Sequence, residues 1–343
     1  MTSRSSRPTR GRRLTAAAAG LLALLLSACG REELPQNTLD PEGPVARQLD
    51  NLINPVFVVA GVFFVLVLAL TLGFALKYRA KSDDDAPVQV HGNAKLELGW
   101  TIVPALILVG VSFFTLIVIA DINREAKGDD VVTVDVIGHQ WWWEYRYPDQ
   151  GIVTANELHI PVGRPVAINL TSVDVVHSFW PPKLAGKIDA IPNRINHMTI
   201  EADEPGVYHG QCAEFCGLAH ADMRLRVVAH SAADWDRWVA TNKAVPEVPE
   251  GSGDAATGAT LFRQKGCASC HTVEGYSKGE LGPNLTHLMQ RETFAGAIFD
   301  MTPENLRTWL RDPPGEKPGS LMPNLNLTED EITKLIAYLE TLK

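Results

Sequence analysis

The chain has 343 residues and a formal net charge of −9, and at roughly 100 to 200 residues per domain this length allows two domains plus additional segments. The charge is uneven, because residues 121–250 hold 19 acidic and 11 basic side chains. Such a field repels nucleic acid, and it either attracts a cationic protein partner or serves only to keep the domains soluble. Composition therefore argues against a nucleic-acid-binding protein.

The first residues have the pattern of an export signal. Five arginines precede an apolar run from Leu14 to Leu26, which is too short to span a bilayer and is typical of a secretory signal peptide. The run ends at Leu26-Ser27-Ala28-Cys29, which resembles a bacterial lipobox. We therefore predict a lipoprotein-type signal peptide over residues 1–28 and a diacylglycerol on Cys29. The alternative is an ordinary signal peptide that a cysteine follows by chance.

Two uncharged stretches follow, Pro55–Leu76 and Trp100–Ala120. Each is long enough to cross a hydrocarbon core of ~30 Å as a helix. The loop between them contains Lys77, Arg79, Lys81 and Lys95, and the positive-inside tendency places this loop in the cytoplasm. We therefore expect a helical hairpin within residues 29–120, with everything after Asp121 on the outer side of a bacterial cell membrane.

Residues 121–244 contain short β-branched or alternating runs separated by turn-forming residues. Strands are predicted at Val131–Ile137, Val166–Leu170, His197–Ile200 and Arg224–Ala229, and a short helix at Ala233–Lys243. This pattern favours an all-β sandwich or barrel.

A stretch rich in Pro, Gly and Glu at residues 245–253 predicts a flexible linker. Beyond it, residues 254–343 form a third, helical unit. Its helices are predicted at Ala256–Lys265, Pro303–Arg311 and Thr328–Leu342. The last helix begins with a capping box between Thr328 and Glu331.

The segment from Gly210 to Met223 carries a cluster of metal-binding residue types. It contains Cys212, Cys216, His220 and Met223, a soft ligand set that favours copper over structural zinc. A second imidazole is needed, and His177 in an earlier β-rich segment is the candidate. A mononuclear blue-copper site uses one cysteine, whereas two thiolates on one loop can bridge two copper ions.

The sequence Cys267-Ala268-Ser269-Cys270-His271 matches the Cys-x-x-Cys-His attachment site of c-type haem, in which both thiols form thioethers and the histidine binds the iron. Helical surroundings disfavour a thioredoxin-like motif, and the lack of a second ligand pair disfavours zinc. The sixth iron ligand is expected from Met289, Met301, Met322 or His287. Met322 is favoured because it lies in a Gly/Pro-rich loop before the last helix. With Cys29, these motifs account for all five cysteines and leave none for a disulfide.

Residues 50–230 resemble subunit II of haem-copper cytochrome c oxidases. The matching segments are Trp100-Thr101-Ile102-Val103-Pro104-Ala105, Gly138-His139-Gln140-Trp141-Trp142-Trp143 and Lys187-Ile188-Asp189-Ala190-Ile191-Pro192-Asn193-Arg194. The resemblance implies a multi-domain membrane protein with three parts: a two-helix transmembrane hairpin, an all-β cupredoxin domain (a Greek-key barrel) holding the binuclear copper centre CuA, and an all-α class I cytochrome c domain. Its loop Leu281-Gly282-Pro283-Asn284-Leu285 is similar to the loop that contacts the haem in small cytochromes c.

The resemblance also implies a complete copper ligand set. Cys212 and Cys216 bridge the two coppers, and His177 and His220 each bind one of them. Met223 and the main-chain carbonyl of Glu214 complete the set. The side chain of Glu214 is expected to reach a magnesium or manganese ion at the boundary with subunit I.

Three further roles are expected from the resemblance or from position. Trp141 is expected to receive electrons from cytochrome c, with its ring on one face of a strand and the next ring on the other. Ordinary sheet packing is the alternative. Glu97 is expected near a proton-uptake entrance of subunit I, with simple hydration as the alternative. His209 is a candidate for supporting the copper loop.

The resulting expectation is subunit II of a caa-type terminal oxidase, passing electrons from the fused haem to CuA and on to subunit I. There oxygen is reduced to water and protons are translocated. Expected partners are subunits I and III, a donor cytochrome c or an upstream quinol–cytochrome complex, and membrane lipid. A CuA subunit of a nitric oxide reductase and a membrane-tethered electron shuttle are the alternatives.

Overall fold

The computed structural model describes residues 34–79, 82, 89 and 92–343. The predicted signal peptide, Cys29 and most of the loop between the two predicted spans, including Lys81, lie outside the described residues. Residues 36–343 form one compact unit, which holds the helices, the β domain and the C-terminal domain.

Two long apolar helices confirm the predicted hairpin: α1, Pro44–Lys77, and α2, Ala94–Ile122. Both are long and apolar enough to cross a membrane. Helix α2 begins at Asn93, whose side chain accepts the amides of Lys95 and Leu96 and so replaces missing intrahelical acceptors.

Helix α1 starts before the predicted Pro55 because its first turn packs on the β domain. Ala46 is buried there, and its amide donates to the carbonyl of Leu184. Arg47 forms an ion pair with Asp203 of the same domain.

Two five-stranded sheets make up the β domain, which confirms the predicted fold class. The strands are β1 Val132–His139, β2 Trp142–Tyr147, β3 Ile152–Ala155, β4 Glu157–Pro161, β5 Val166–Ser172, β6 His177–Trp180, β7 Ile188–Ala190, β8 Asn196–Ile200, β9 Gly206–Cys212 and β10 Arg224–His230. One sheet has the order β3-β2-β1-β5-β8 and the other β4-β10-β9-β6-β7. Pairs β1–β5 and β4–β10 are parallel, and the other pairs are antiparallel.

The core of the β domain lies between the sheets, and the metal motif lies at one end of it. Apolar residues of both sheets form one buried cluster, which includes Cys212, Cys216 and Met223. Strand β6 pairs with β9 so that Phe179 lies opposite Cys212. This register brings His177 to the end of β9. After β10, helix α3, Ala232–Lys243, packs its tryptophans on the same core.

Residues 245–253 form neither helix nor strand, and the helical domain follows them. Its helices are α4 Asp254–Gln264, α5 Cys267–Cys270, α6 Pro303–Arg311, α7 Pro313–Glu316 and α8 Glu329–Leu339. The capping box of Thr328 and Glu331 is confirmed at the start of α8. The structure adds two short antiparallel ladders that the sequence pattern did not predict: β11 Thr272–Val273 with β12 Ser277–Lys278, and β13 Thr293–Phe294 with β14 Phe299–Asp300.

Helices α4 and α8 cross at a glycine. A Cβ atom on Gly258 would lie 1.9 Å from the carbonyl oxygen of Lys334 and 2.8 Å from the Cβ of Tyr338. The two backbones can therefore approach this closely only because position 258 has no side chain.

We expect Gly258→Ala to destabilise the C-terminal domain by about 1–3 kcal/mol, because the added methyl group overpacks the helix crossing. The matched control is Gly253→Ala, since a Cβ at position 253 meets no atom within 4 Å. Thermal unfolding followed by circular dichroism measures both variants. Equal midpoints for the two would contradict the close-crossing explanation.

Candidate copper and haem sites

The structure brings together all six residues predicted to bind copper. Cys212 Sγ lies 3.7 Å from Cys216 Sγ, 3.3 Å from the carbonyl oxygen of Glu214 and 3.9 Å from His177 Nδ1. Cys216 Sγ lies 3.5 Å from His220 Nδ1 and 3.9 Å from Met223 Sδ. Each cysteine sulfur therefore has one imidazole beside it. The Glu214 carbonyl lies beside the sulfur of Cys212, and the Met223 thioether lies beside the sulfur of Cys216. This donor set fits two soft metal ions that share both thiolates.

The two sulfurs share a hydrogen bond. It lowers the pKa of Cys212 and raises the pKa of Cys216, because one proton between the two sulfurs stabilises one thiolate and a second negative charge so close is unfavourable. The pair therefore favours one thiolate and one thiol. Metal binding requires both cysteines as thiolates, so bound cations replace the shared proton. None of the four described cysteines forms a disulfide.

Asp174 orients the buried side chain of His177, a candidate copper ligand. Its carboxylate lies 2.8 Å from His177 Nε2, so Nε2–H points to the carboxylate and Nδ1 points to the sulfurs. Burial alone would raise the pKa of Asp174, but the bonds from His177 and from the amides of Val175 and Gln140 lower it to about 2. The carboxylate therefore stays ionised and fixes the ring.

Trp141 lies in the turn between β1 and β2, beside the copper loop. Its indole Nε1–H donates to the carbonyl of Cys216 at 3.0 Å, and the side-chain amide of Gln140 donates to the same oxygen at 2.7 Å. The expected alternation of rings across a strand holds only for Trp142 and Trp143, because β2 begins at Trp142. Trp141 instead lies at the end of the β domain, directly on the metal motif.

The haem motif forms a short helix followed by an extended histidine. Cys267 and Cys270 are the first and last residues of α5, and three-residue spacing places both thiols on one helix face. His271 Nδ1 lies 2.8 Å from the carbonyl of Pro283. This hydrogen bond leaves Nε2 free to bind a metal, and burial lowers the pKa of His271, which favours the neutral form of the ring. The 281–285 loop therefore lies beside the His271 ring, and its contact with a haem stays a prediction.

Met322 packs on the core of the helical domain, as Met289 and Met301 do. Its Sδ lies 3.2 Å from Trp309 Nε1, which donates to it. The choice of Met322 as the sixth ligand stays a prediction. To bind iron, the Met322 sulfur would have to exchange its hydrogen bond with Trp309 for a bond to the metal.

The other predicted residues lie away from the sulfurs. Glu97 is exposed in the first turn of α2. The side chain of Glu214 is half exposed and lies 3.5 Å from Lys187 Nζ. His209 lies on β9, with Nε2 3.1 Å from a guanidinium nitrogen of Arg226, and its support of the copper loop stays a prediction.

Sequence reasoning missed three residues around the copper site: Asp174, Gln140 and Lys317. Asp174 stands three positions before His177, and a carboxylate that close to a candidate ligand is a usable signal. Lys317 lies far along the chain, yet its ammonium group donates to the carbonyl of Trp141 at 2.8 Å. No local pattern marks it.

Models of three families match the chain: cytochrome C oxidase subunit II, transmembrane domain, over residues 34–118; cytochrome C oxidase subunit II, periplasmic domain, over residues 151–230; and cytochrome c, over residues 255–343. The chain is similar to cytochrome c oxidase subunit 2 of Alkalihalophilus pseudofirmus, with 41% identity over 94% of this chain and 95% of the relative. For the same subunit of Bacillus subtilis the identity is 35%, over 94% and 96%. The chain belongs to the cytochrome c oxidase subunit II family.

A solved periplasmic domain of cytochrome oxidase subunit II from Bradyrhizobium japonicum is 32% identical, with a TM-score of 0.34; the match covers 35% of this chain and 97% of that one. The two matched subunit II models and the cytochrome c model imply copper of the CuA type and a c-type haem. The relatives do not favour a nitric oxide reductase subunit or a free electron shuttle.

We expect Asp174→Asn to weaken copper binding about 10- to 100-fold, because a neutral amide holds the His177 ring less firmly than a carboxylate does. Asp149→Asn, an exposed carboxylate in the turn between β2 and β3, is the matched control. Competition with a copper chelator measures the affinity of each variant. Equal affinities for the two variants and the unsubstituted protein would show that Asp174 has no orienting role.

Proposed function

We propose that this subunit carries electrons from its c-type haem to its CuA centre and on to subunit I, where oxygen is reduced to water and protons are translocated. The observation that carries the proposal is the donor set of two cysteines, two histidines, a methionine and a carbonyl within 3.3–3.9 Å contacts. The same chain contains the haem attachment motif. When bound, the coppers and the haem supply the one-electron redox chemistry.

The chain's own contribution at the copper site is a rigid, dry ligand cage. Cys212, Cys216 and Met223 are at most 3% exposed and belong to the β-domain core. Sheet packing therefore sets the positions of the donor atoms. A buried, apolar shell of this kind also controls solvent access and redox potential.

In the helical domain, Cys267 and Cys270 would hold the haem covalently, and His271 and Met322 would supply the iron ligands. The main support for His271 is its hydrogen bond to Pro283, which orients the ring. A thioether ligand raises the haem potential, which suits a haem that delivers electrons to copper.

Trp141 is proposed as the residue through which electrons reach the copper site. Its support is the indole hydrogen bond to the carbonyl of Cys216, a residue of the ligand loop. The indole ring is thus linked to the Cys216 sulfur through one hydrogen bond and the covalent bonds of Cys216.

Two carboxylates are proposed to serve the boundary with subunit I. The main-chain carbonyl of Glu214 faces Cys212, and its half-exposed side chain points outward and pairs with Lys187. If the ion pair with Lys187 breaks, the carboxylate can bind a magnesium or manganese ion at this boundary. Glu97 is exposed at the start of a membrane-spanning helix, where a carboxylate serves as a proton-uptake entrance.

The proposed placement is a bacterial cell membrane with both soluble domains on the outer side. The proposed partners are subunits I and III, a donor cytochrome c or quinol–cytochrome complex, and the lipid on Cys29. The proposed domain boundaries give a signal peptide at residues 1–28, an N-terminal segment with the transmembrane hairpin at 29–120, the cupredoxin domain at 121–244, a linker at 245–253 and the cytochrome c domain at 254–343. The arginine-rich start and the basic loop between the spans support this arrangement.

Replacing Met322 by leucine is expected to lower the haem reduction potential and to abolish the spectrum of a methionine-ligated haem, because the thioether ligand is lost. Met289→Leu, in the same domain, is the control and is expected to change neither property. Optical redox titration measures both. If Met289→Leu gave the loss and Met322→Leu did not, the ligand assignment would be reversed.

Removal of residues 254–343 is expected to leave two coppers per chain but to abolish rapid oxidation of the natural donor by the purified oxidase complex. Copper analysis shows whether the β domain has stayed folded, and donor oxidation is followed by absorbance. Full turnover by a copper-loaded truncated complex would mean that the fused domain is not the obligatory relay.

A further inference from the structure

The loop that precedes Met322 lies directly on Trp141. Gly319 has a φ of +93°, and a Cβ atom there would lie 2.9 Å from two carbons of the Trp141 ring and 3.2 Å from Leu218 Cβ. Only a glycine allows this approach of the loop backbone to the indole. The proposed haem-ligand loop and the proposed electron acceptor are therefore in van der Waals contact.

Lys317 begins this loop and reaches across to the copper domain. Its Nζ donates to the carbonyl oxygens of Trp141, Asp222 and Ala295, each at 2.8 Å. The side chain is only 4% exposed, and all three donor positions of the ammonium group are used. Two of the three carbonyls belong to the β domain, so the ammonium group of Lys317 connects the two domains.

Each of the two β-domain carbonyls lies beside the copper site. Trp141 donates its indole proton to the carbonyl of Cys216, and Asp222 stands between the ligands His220 and Met223 in the chain. A single ammonium group thus ties the copper loop to the Met322 loop.

A second, reciprocal contact holds the same two domains together. Glu157 of the β domain is 1% exposed. Its carboxylate accepts the amides of Glu292 and Thr293 at 3.0 and 2.7 Å. Each domain therefore buries one charged group in hydrogen bonds to the other's main chain. Undocking would break both sets of hydrogen bonds.

We propose that Lys317 is a positioning residue that locks the Met322 loop onto Trp141, so that the fused cytochrome domain transfers electrons from one fixed pose rather than by repeated docking on a flexible tether. This inference rests on the proposed function, in which the haem of this domain is the donor to CuA. It also accounts for the glycine at position 319 and for a lysine buried between domains.

The test is Lys317→Met in the purified oxidase complex, with Lys334→Met as the matched control. Lys334 forms its ion pair with Asp330 of the same helix, α8. Two quantities are measured: hydrogen exchange of the Glu292 and Thr293 amides, which requires no electron transfer, and the rate at which copper is reduced after flash reduction of the haem.

For Lys317→Met we expect both amides to exchange about tenfold faster, which corresponds to ~1.4 kcal/mol of lost docking. We also expect haem-to-copper transfer to become about tenfold slower and to depend on solvent viscosity, because docking then precedes each transfer. Lys334→Met is expected to match the unsubstituted complex. Haem and copper spectra and both reduction potentials are recorded for every variant, since the lost positive charge also lowers the CuA potential.

Unchanged exchange and an unchanged rate would overturn the proposal. A slower rate with unchanged exchange and a lowered copper potential would overturn positioning too, because the lysine would then act through its charge alone. If the Lys317→Met variant loses its haem, the same two measurements are made on the Glu157→Gln variant instead. Faster exchange and a slower, viscosity-dependent rate in that variant support the fixed pose, and no change in either contradicts it. The proposed function itself would be refuted by a different result: an unsubstituted complex that lacks copper, lacks haem, or shows no electron transfer from haem to copper.

Discussion

The structure depends on two buried sulfur atoms that repel each other as thiolates unless cations lie between them. Cys212 and Cys216 are 3.7 Å apart in the β-domain core, where little water reaches them to screen their charges. Strands β6, β9 and β10 supply or lead to the other donors, and the sheet pairing fixes where those donors lie. A core that holds two sulfurs this close, with two imidazoles, a thioether and a carbonyl beside them, fits a pair of shared soft metal ions.

Around the sulfurs, hydrogen bonds from separate parts of the chain hold the ligand loop. Asp174 orients His177, Trp141 and Gln140 both donate to the carbonyl of Cys216, and Lys317 donates to the carbonyl of Trp141. These contacts run without a break from His177 to the helical domain. The candidate copper site and the domain interface thus share one connected set of hydrogen bonds.

The interface between the β domain and the helical domain contains charged groups that both domains bury. Glu157 accepts main-chain amides from across the interface, and Arg291 donates from the helical domain to Thr154 Oγ1 at 3.2 Å. Burial lowers the pKa of Arg291 to about 10. Desolvating such groups costs free energy and is offset only when every partner is in place, so the contact is specific for one relative orientation. For a subunit that moves electrons between two centres, one orientation also means one separation.

Sequence alone determined the chemistry that is local in the chain: the spans, the haem motif, the capping box of α8, and the cysteine pair with His220 and Met223. It also nominated His177, but the pairing of β6 with β9 brings that ring, 35 positions away, to Cys212. Only the tertiary structure decided the contact between Lys317 and Trp141, 176 positions apart. The physical reason is that the lysine binds a main-chain carbonyl, which every residue has. Its partner therefore leaves no mark in the sequence, and the folded backbone alone determines which carbonyl lies within reach.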